Sequence, residues 1–160
     1  MPTAFEHGPY LGAAVLCERA IQEADGVLTL VRMIDKITGT VVVPQGHDPN
    51  VMPPFMVSLT MVVMLRAGEA RGNYTIKVRP ETPIGTQLAP TELPVSLVGT
   101  SDAQGVNLLL NLNLGAQHQG LHWFDVLLDD ELLTRVPLHI EYQPAQEPTP
   151  RGPQAPGNSE

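Results

Sequence analysis

At 160 residues, with 42% hydrophobic and 16% charged residues, the chain has the size and composition of one globular domain, which excludes a wholly disordered protein. Its formal net charge of -8 opposes attraction to nucleic-acid phosphates and to anionic lipids, so we expect no nucleic-acid partner and no membrane association. The single cysteine excludes an intrachain disulfide. A secretion signal has basic residues before its first apolar run, and this chain has none there. We therefore expect a cytoplasmic location.

The first predicted strand covers residues 13–24 and follows a short N-terminal extension, residues 1–9. Its composition favours a helix by propensity, but Asp25-Gly26 directly after it is a strong signal for a two-residue hairpin turn. We therefore predict a strand that pairs with the next apolar stretch. That stretch, residues 27–37, carries few charged residues and predicts one strand that is covered on both sides.

Strict alternation of apolar and polar side chains predicts five further strands. The positions that define their inward faces are Phe55, Val57, Leu59, Met61, Val63 and Leu65; Tyr74, Ile76 and Val78; Val106, Leu108, Leu110, Leu112 and Leu114; His122, Phe124, Val126 and Leu128; and Val136, Leu138 and Ile140. A helix of 3.6 residues per turn would scatter each set around its circumference. The period of two therefore indicates strands.

Two connections and the C-terminus are too rich in proline and glycine for central strands. Residues 44–54 and 80–92 are therefore predicted loops. Residues 144–160 contain five prolines and no aliphatic side chain larger than alanine, so they cannot bury enough surface to offset their ordering entropy. We divide the chain into the extension, a β-sandwich domain over residues 10–142, and a disordered proline-rich tail over residues 143–160.

About eight strands with turn-rich connections predict an all-β fold, a two-sheet antiparallel sandwich. Residues 120–126 resemble the Gly-x-Tyr-x-aliphatic pattern of strand F in immunoglobulin-like domains. His122 stands in the place of the tyrosine, and the cysteine pair of those domains is absent. We therefore expect an immunoglobulin-like architecture without assigning its topology.

The last two strands also predict their own pairing register. Phe124 and Val136 both point inward and must lie opposite each other, which a three-residue loop over residues 129–131 achieves. The same register places Asp125 opposite Arg135 on the outer face. An exposed ion pair there would stabilise the hairpin by roughly 0.2–1 kcal/mol.

Segments near both ends of the sequence are similar to a known family. They are Leu16-Cys17-Glu18-Arg19-Ala20-Ile21 with Asp25-Gly26, and Trp123-Phe124-Asp125-Val126-Leu127-Leu128-Asp129 with Arg135-Val136-Pro137-Leu138. They resemble the opening and the ending of an uncharacterised bacterial family of small β-sandwich proteins, a domain of unknown function, over roughly residues 10–142. The resemblance implies a β-sandwich in a bacterial cytoplasm. That family carries no assigned activity, so the resemblance transfers no functional residue.

The residue types that catalyse reactions or bind metals form no recognisable constellation. His118 and His122 have the spacing of two ligands on a helix, but the region reads as a turn and a strand, and zinc needs three or four convergent ligands. Cys17 lies in an apolar strand pattern, where cysteine is usually a small buried hydrophobe. The acidic run over residues 129–131 is more typical of a hairpin turn than of a calcium site. We predict no catalytic residue, no metal and no cofactor, and a protein that is not an enzyme.

One basic patch stands out against the acidic background. Its members, which we place near one hairpin as a candidate interaction patch, are Val62, Met64, Arg66, Arg71, Lys77 and Arg79. Such a mixture suits an acidic partner or an anion, and a solvated sheet face is the alternative interpretation. The sequence therefore favours a non-enzymatic protein-interaction or assembly module, with a protein partner or self-association. A ligand-binding sandwich that uses loops 44–54 and 80–92 is the alternative function.

Overall fold

The computed structural model of the protein describes residues 6–42, 53–102 and 104–145. Within these residues the chain is all-β, with nine strands and no helix, and so it has no helix that could cross a membrane. The strands are β1 (Tyr10–Gln22), β2 (Leu28–Met33), β3 (Lys36–Val41), β4 (Phe55–Arg66), β5 (Gly72–Glu81), β6 (Thr91–Leu97), β7 (Gly105–Ala116), β8 (Gly120–Leu128) and β9 (Glu131–Pro144). The predicted all-β class is confirmed.

The first sheet has the strand order β2-β1-β4-β7 and is antiparallel throughout. β4 and β7 pair without a register shift, from Phe55 opposite Ala116 to Arg66 opposite Gly105. β1 pairs with β4 along its first half and with β2 along its second half. The predicted first strand and its hairpin with the next stretch are therefore confirmed, because sheet pairing outweighs helix propensity here.

The second sheet has the strand order β3-β9-β8-β5-β6. It is mixed, since β3 runs parallel to β9 whereas the other neighbours are antiparallel. The prediction of wholly antiparallel sheets is therefore wrong at this edge.

The parallel pair arises because the single strand predicted after the first hairpin is in fact two strands. Arg32 has a φ of 52°, in the left-handed region that interrupts a strand. Just beyond it, Ile34 donates a backbone hydrogen bond to Leu16 of the first sheet, and Asp35 accepts one from His139 of the second. The chain crosses between the sheets at this point. β2 and β3 are consequently edge strands of different sheets, and the prediction of one strand covered on both sides is wrong.

The two sheets share one hydrophobic core, and the apolar positions that alternation predicts point into it. Among its largest fully buried side chains are Met61, Leu65, Ile76, Phe124, Leu128, Leu138 and Ile140. Because successive residues of a strand point to opposite faces, the residues between these lie on the outer faces of the sheets. Those outer faces and the sheet edges are the surfaces on which a partner or ligand can bind.

The hairpin of β8 and β9 reaches the predicted register by a different turn. Both predicted pairs are present: Phe124 opposite Val136, and Asp125 opposite Arg135. The loop, however, has only two residues, Asp129 and Asp130, whose φ angles of 46° and 67° suit a type I′ turn. A register shift beside Val126 then restores the burial of the apolar faces. The pairing was predicted correctly and the three-residue loop was wrong.

β9 extends beyond the end of the predicted sandwich domain. Gln143 and Pro144 lie opposite Thr40 and Val41 of β3, and the Ala145 amide donates a hydrogen bond to the Val41 carbonyl. β9 therefore continues two residues past residue 142, where the predicted sandwich domain ends. The rest of the predicted tail lies outside the described residues, as do most of the predicted loop 44–54 and the first part of the predicted N-terminal extension.

His122 is expected to make the stability of the fold depend on pH. It lies on the inward face of β8, is 1% exposed, and has its Nδ1 3.3 Å from the Gly120 carbonyl oxygen. Burial disfavours the charged ring and lowers the pKa of His122 below its ordinary value of 6.5. The unfolded chain therefore binds a proton where the folded chain does not. We expect the free energy of unfolding to fall as the pH decreases below about 6.5.

Urea denaturation at a series of pH values between about 7 and 5 measures this effect. His122→Gln removes the titrating group and should flatten the slope of unfolding free energy against pH in that window. The control His118→Gln changes a loop histidine before β8 that makes only a lesser contribution to the lowered pKa of His122, so most of the slope should remain. Equal slopes for the original protein and His122→Gln would contradict the assignment.

Candidate functional site

The residues of the predicted interaction patch do not form one surface. β4 and β5 belong to different sheets, so the hairpin on which the patch was placed does not exist. Val62, Met64 and Arg66 lie on the outer side of the first sheet, whereas Lys77 and Arg79 lie on the outer side of the second. The placement of the patch on one hairpin is therefore wrong, because strand alternation determines which face a residue occupies and not which strands become neighbours.

Arg71 lies in the connection between the two sheets, where its guanidinium group is fully engaged in hydrogen bonds and an ion pair. Its guanidinium donates hydrogen bonds to the backbone carbonyls of Gly68, Ala70 and Gly99 and forms an ion pair with Asp102 at 3.1 Å. These contacts join two loops at one end of the fold. Arg71 therefore acts as a structural clamp, and its charge is already paired.

Lys77 and Arg79 belong to a network of ion pairs across the outer face of the second sheet. The Lys77 Nζ lies 2.7 Å from Asp130 and 3.2 Å from Glu92. Arg79 contacts Asp125 on the neighbouring strand at 3.1 Å. The positive charges of this face are neutralised by adjacent acids, so it offers less attraction to an acidic partner than the sequence suggested.

Asp125 is the centre of that network. One carboxylate oxygen accepts a hydrogen bond from Arg135 at 2.6 Å, and the other accepts one from Arg79 at 3.1 Å. Asp125 is only 5% exposed. Burial alone would raise the pKa of Asp125, but the hydrogen bonds from the two arginines outweigh it and lower the pKa below the ordinary 3.8. The Arg135 guanidinium also lies 5.0 Å from the centre of the Trp123 ring. The arrangement reads as a rigid structural centre.

The β4 residues of the patch border a cleft on the first sheet. Its volume is about 420 Å³, and it is lined chiefly by Val27, Leu28, Leu30, Val62, Met64 and Arg66. The lining joins the β1–β2 hairpin to the outer face of β4. Val62 is only 1% exposed although it points away from the shared core, so the outer face of β4 is covered at this position.

The tip of that hairpin is wider than the sequence predicted. Glu23 and Val27 are joined by a backbone hydrogen bond, and Gly26, with a φ of 84°, closes the turn by donating to the Glu23 carbonyl. Asp25 uses one side-chain oxygen to accept the Val27 amide at 3.0 Å. The position of the Asp25-Gly26 turn is confirmed and its two-residue length is wrong. The longer loop places the apolar start of β2 beside the cleft.

β7 forms a long free edge of the first sheet. Among the described residues it pairs with β4 alone, along all 12 of its residues. Its inward leucines are buried, whereas Asn107, Leu109, Asn111 and Asn113 alternate with them on the outer face and are exposed. The strand contains no charged residue and no proline. Every second residue of such an edge directs its N–H and C=O groups away from the sheet.

A comparison with known families covers almost the whole strand-forming part of the chain. The model of DUF6941, a family of unknown function, matches residues 12–141, which extend from β1 to β9. The chain belongs to this family. The family resemblance noted in the sequence is therefore confirmed. No curated protein matches the chain.

The single cysteine of this DUF6941 member is held in an unreactive setting. Cys17 is fully buried, and burial raises the pKa of its thiol above the ordinary 9.0, which disfavours the thiolate. Its Sγ lies 3.6 Å from the Thr60 carbonyl oxygen. Within the described ranges no three histidine, cysteine, aspartate or glutamate side chains are placed to hold a metal ion together.

Sequence reasoning missed two features of the DUF6941 chain. The absence of charge and proline from residues 105–116 is visible in the sequence and is a signal of an unprotected edge, but only once the strand order shows that β7 is an edge. The contribution of Leu28 and Leu30 to the cleft had no such signal, because it depends on where the hairpin lies relative to β4.

Proposed function

We propose that the protein is a non-enzymatic interaction module that assembles with a second copy of itself through the free edge of β7. The observation that carries the proposal is a 12-residue edge strand without charge, proline or a register shift. β-Proteins commonly protect their exposed edges with charged residues, prolines or β-bulges, because an unpaired edge is a template for another strand. β7 has none of them and is therefore suited to strand addition.

Charge favours a second copy over other occupants of this edge. The protein has a net charge of -8, so two copies repel each other over most of their surfaces. Residues 105–116 are uncharged, so contact between two copies along this strand adds no repulsion between like charges of its own. The strand is also self-complementary, since an antiparallel pair about Leu110 keeps the leucines of both copies on the inner face and the asparagines on the outer face.

Sedimentation velocity across micromolar concentrations is expected to show a reversible dimer. The double variant Asn111→Asp and Asn113→Asp should weaken it by about 100-fold, because the new charges at residue 111 of the two copies become diagonal neighbours across the two-fold axis and those at residue 113 add to the repulsion. Aspartate keeps the side-chain oxygens that accept hydrogen bonds from Thr60 and Ser58, so the strand itself should remain folded.

Thr38→Asp with Thr40→Asp is the matched control. It adds the same charge to exposed positions of β3, the edge strand of the other sheet, and should leave the dimer unchanged. A monomeric original protein, or an equal effect of both double variants, would overturn the proposal. Unchanged thermal melting of each variant establishes that the comparison is made between folded proteins.

Ligand binding is the second candidate function, and the cleft on the first sheet is the observation that favours it. The predicted loop 80–92 is less suitable, because it folds back on itself through backbone hydrogen bonds between Thr82 and Thr86 and between Leu88 and Pro80. The cleft has a volume in the range of small-molecule sites and a lining that is mostly apolar.

The proposal includes an immunoglobulin-like sandwich and a bacterial cytoplasmic location. Two sheets over one core support an immunoglobulin-like sandwich, while the parallel pairing of β3 with β9 departs from the antiparallel pattern of that fold. A bacterial cytoplasmic setting, without nucleic-acid or membrane partners, is what the sequence and the family resemblance predict.

A further inference from the structure

The cleft on the first sheet has an apolar body formed by two different elements. Leu28 and Leu30 of β2 line one side, and Val62 and Met64 of β4 line the other. Val62 is 1% exposed and lies at the bottom of the cleft, whereas Leu28, Leu30 and Met64 are half-buried and border the remaining space of about 420 Å³. Apolar walls that are held apart in this way gain free energy when an apolar molecule replaces the water between them.

Arg66 gives the cleft a charged end. It is the last residue of β4 and lines the cleft together with Asn107 of the adjacent strand. In a protein with 17 acidic and 9 basic residues, it has no ion-pair or hydrogen-bond partner within the described part of the chain. Its side chain crosses Gly105, where an added Cβ would collide with the guanidinium group. The Arg66 guanidinium thus packs against β7 while its charge stays without a counterion among the described residues.

The other charged residue of the lining lies on the hairpin. Asp25 already uses one oxygen to accept the Val27 amide, and its negative charge repels an anion. A bound anionic group is therefore favoured at Arg66 and disfavoured at the hairpin tip. The apolar walls and the unpaired cation together define the polarity of the molecule that fits.

We propose that this cleft binds a medium-chain aliphatic carboxylate. The carboxylate accepts hydrogen bonds from the Arg66 guanidinium and the Asn107 amide, and the chain lies between Leu28 and Leu30 on one side and Val62 and Met64 on the other. Arginine pairs with carboxylates through two parallel hydrogen bonds, which orients the head group as well as attracting it. This site does not depend on the pairing of β7 with a second copy.

Isothermal titration with decanoate below its micelle concentration tests the site. We expect binding that Arg66→Gln weakens by at least about tenfold, since the charge-assisted hydrogen bonds are lost. Octanoate should bind roughly tenfold or more weakly than decanoate, as each buried methylene contributes about fourfold. Methyl groups of Leu28, Leu30, Val62 and Met64 should shift in NMR spectra when decanoate is added.

Arg19→Gln is the matched control, because Arg19 is an exposed arginine of β1 outside the cleft lining. It should leave the affinity for decanoate unchanged. Decanol, which lacks the charge, should bind more weakly and be insensitive to Arg66→Gln, and a decylammonium ion should bind more weakly still. The proposal is overturned if decanoate does not bind, if both arginine variants behave alike, or if the ammonium ion binds more tightly. Repeating the titration with Asn111→Asp and Asn113→Asp keeps this result separate from self-association.

Discussion

Phe124→Ala is expected to lower the free energy of unfolding by about 3–5 kcal/mol. Phe124 is 0% exposed and lies on β8, between β9 and β5 in the second sheet. Its removal leaves a cavity that these strands cannot close, because each is held in place by its own ladder of backbone hydrogen bonds. Urea denaturation at a fixed protein concentration measures the loss as a lower midpoint with an unchanged slope.

Leu132→Ala is the control for that experiment. Leu132 belongs to the adjacent strand but is 53% exposed, so its truncation should change the stability by no more than about 0.5 kcal/mol. If Phe124→Ala does not fold, Phe124→Leu should show a smaller loss of the same sign. Similar small effects of the Phe124 and Leu132 variants would show that Phe124 is not part of a tightly packed core.

The inward position of Phe124 could be predicted from the sequence because a strand alternates its side chains between two faces. The same reasoning identified the buried leucines of β7 and the inward residues of β4, all of which lie in the shared core. This information is local, since it needs only neighbouring residues. It therefore survives even where the predicted strand partners are wrong.

The choice of strand partners could not be predicted in the same way. β4 and β5 follow each other closely and both alternate, which fits a hairpin equally well as two strands in different sheets. Arg71 in their connection donates to the carbonyl of Gly99, which lies 28 residues further along the sequence, and alternation carries no information about such contacts. The placement of the candidate patch on one hairpin was wrong for this reason, and the cleft was missed because it too is built from elements that meet only in the folded chain.

The pairing of Asp125 with Arg135 was predicted, but its setting was not. The sequence suggested an exposed ion pair, whereas Asp125 is 5% exposed and has Arg79 as a second partner. Arg79 comes from β5, and its position next to β8 follows from the strand order rather than from the hairpin. Within the described residues the Arg79 Nε is buried without a hydrogen-bond partner, so this arginine depends on Asp125 for compensation.

Asp125→Asn is therefore expected to lower the free energy of unfolding by about 2–3 kcal/mol. The amide keeps the size of the side chain but removes the charge, and its NH₂ group faces arginine donors. Two guanidinium groups then remain close together, and Arg79 loses the acid it contacts, while Arg135 keeps Glu81 at 3.2 Å. The loss should stay below that of a fully buried pair, because the side chains of Arg79 and Arg135 are 31% and 39% exposed and water partly solvates them.

Asp130→Asn is the matched control at the end of the same hairpin. Asp130 also pairs with a cation, Lys77, but its side chain is 80% exposed, and asparagine tolerates its left-handed backbone. The change in the free energy of unfolding should therefore be close to the error of measurement.

The effect of Asp125→Asn must also depend on pH. Because the folded pKa of Asp125 is lowered, its contribution is present above pH 3.8 and is lost as the pH falls through the folded value. Urea midpoints of the original protein and Asp125→Asn should therefore converge in acid, and a difference that persists there would show that packing rather than charge makes Asp125 important.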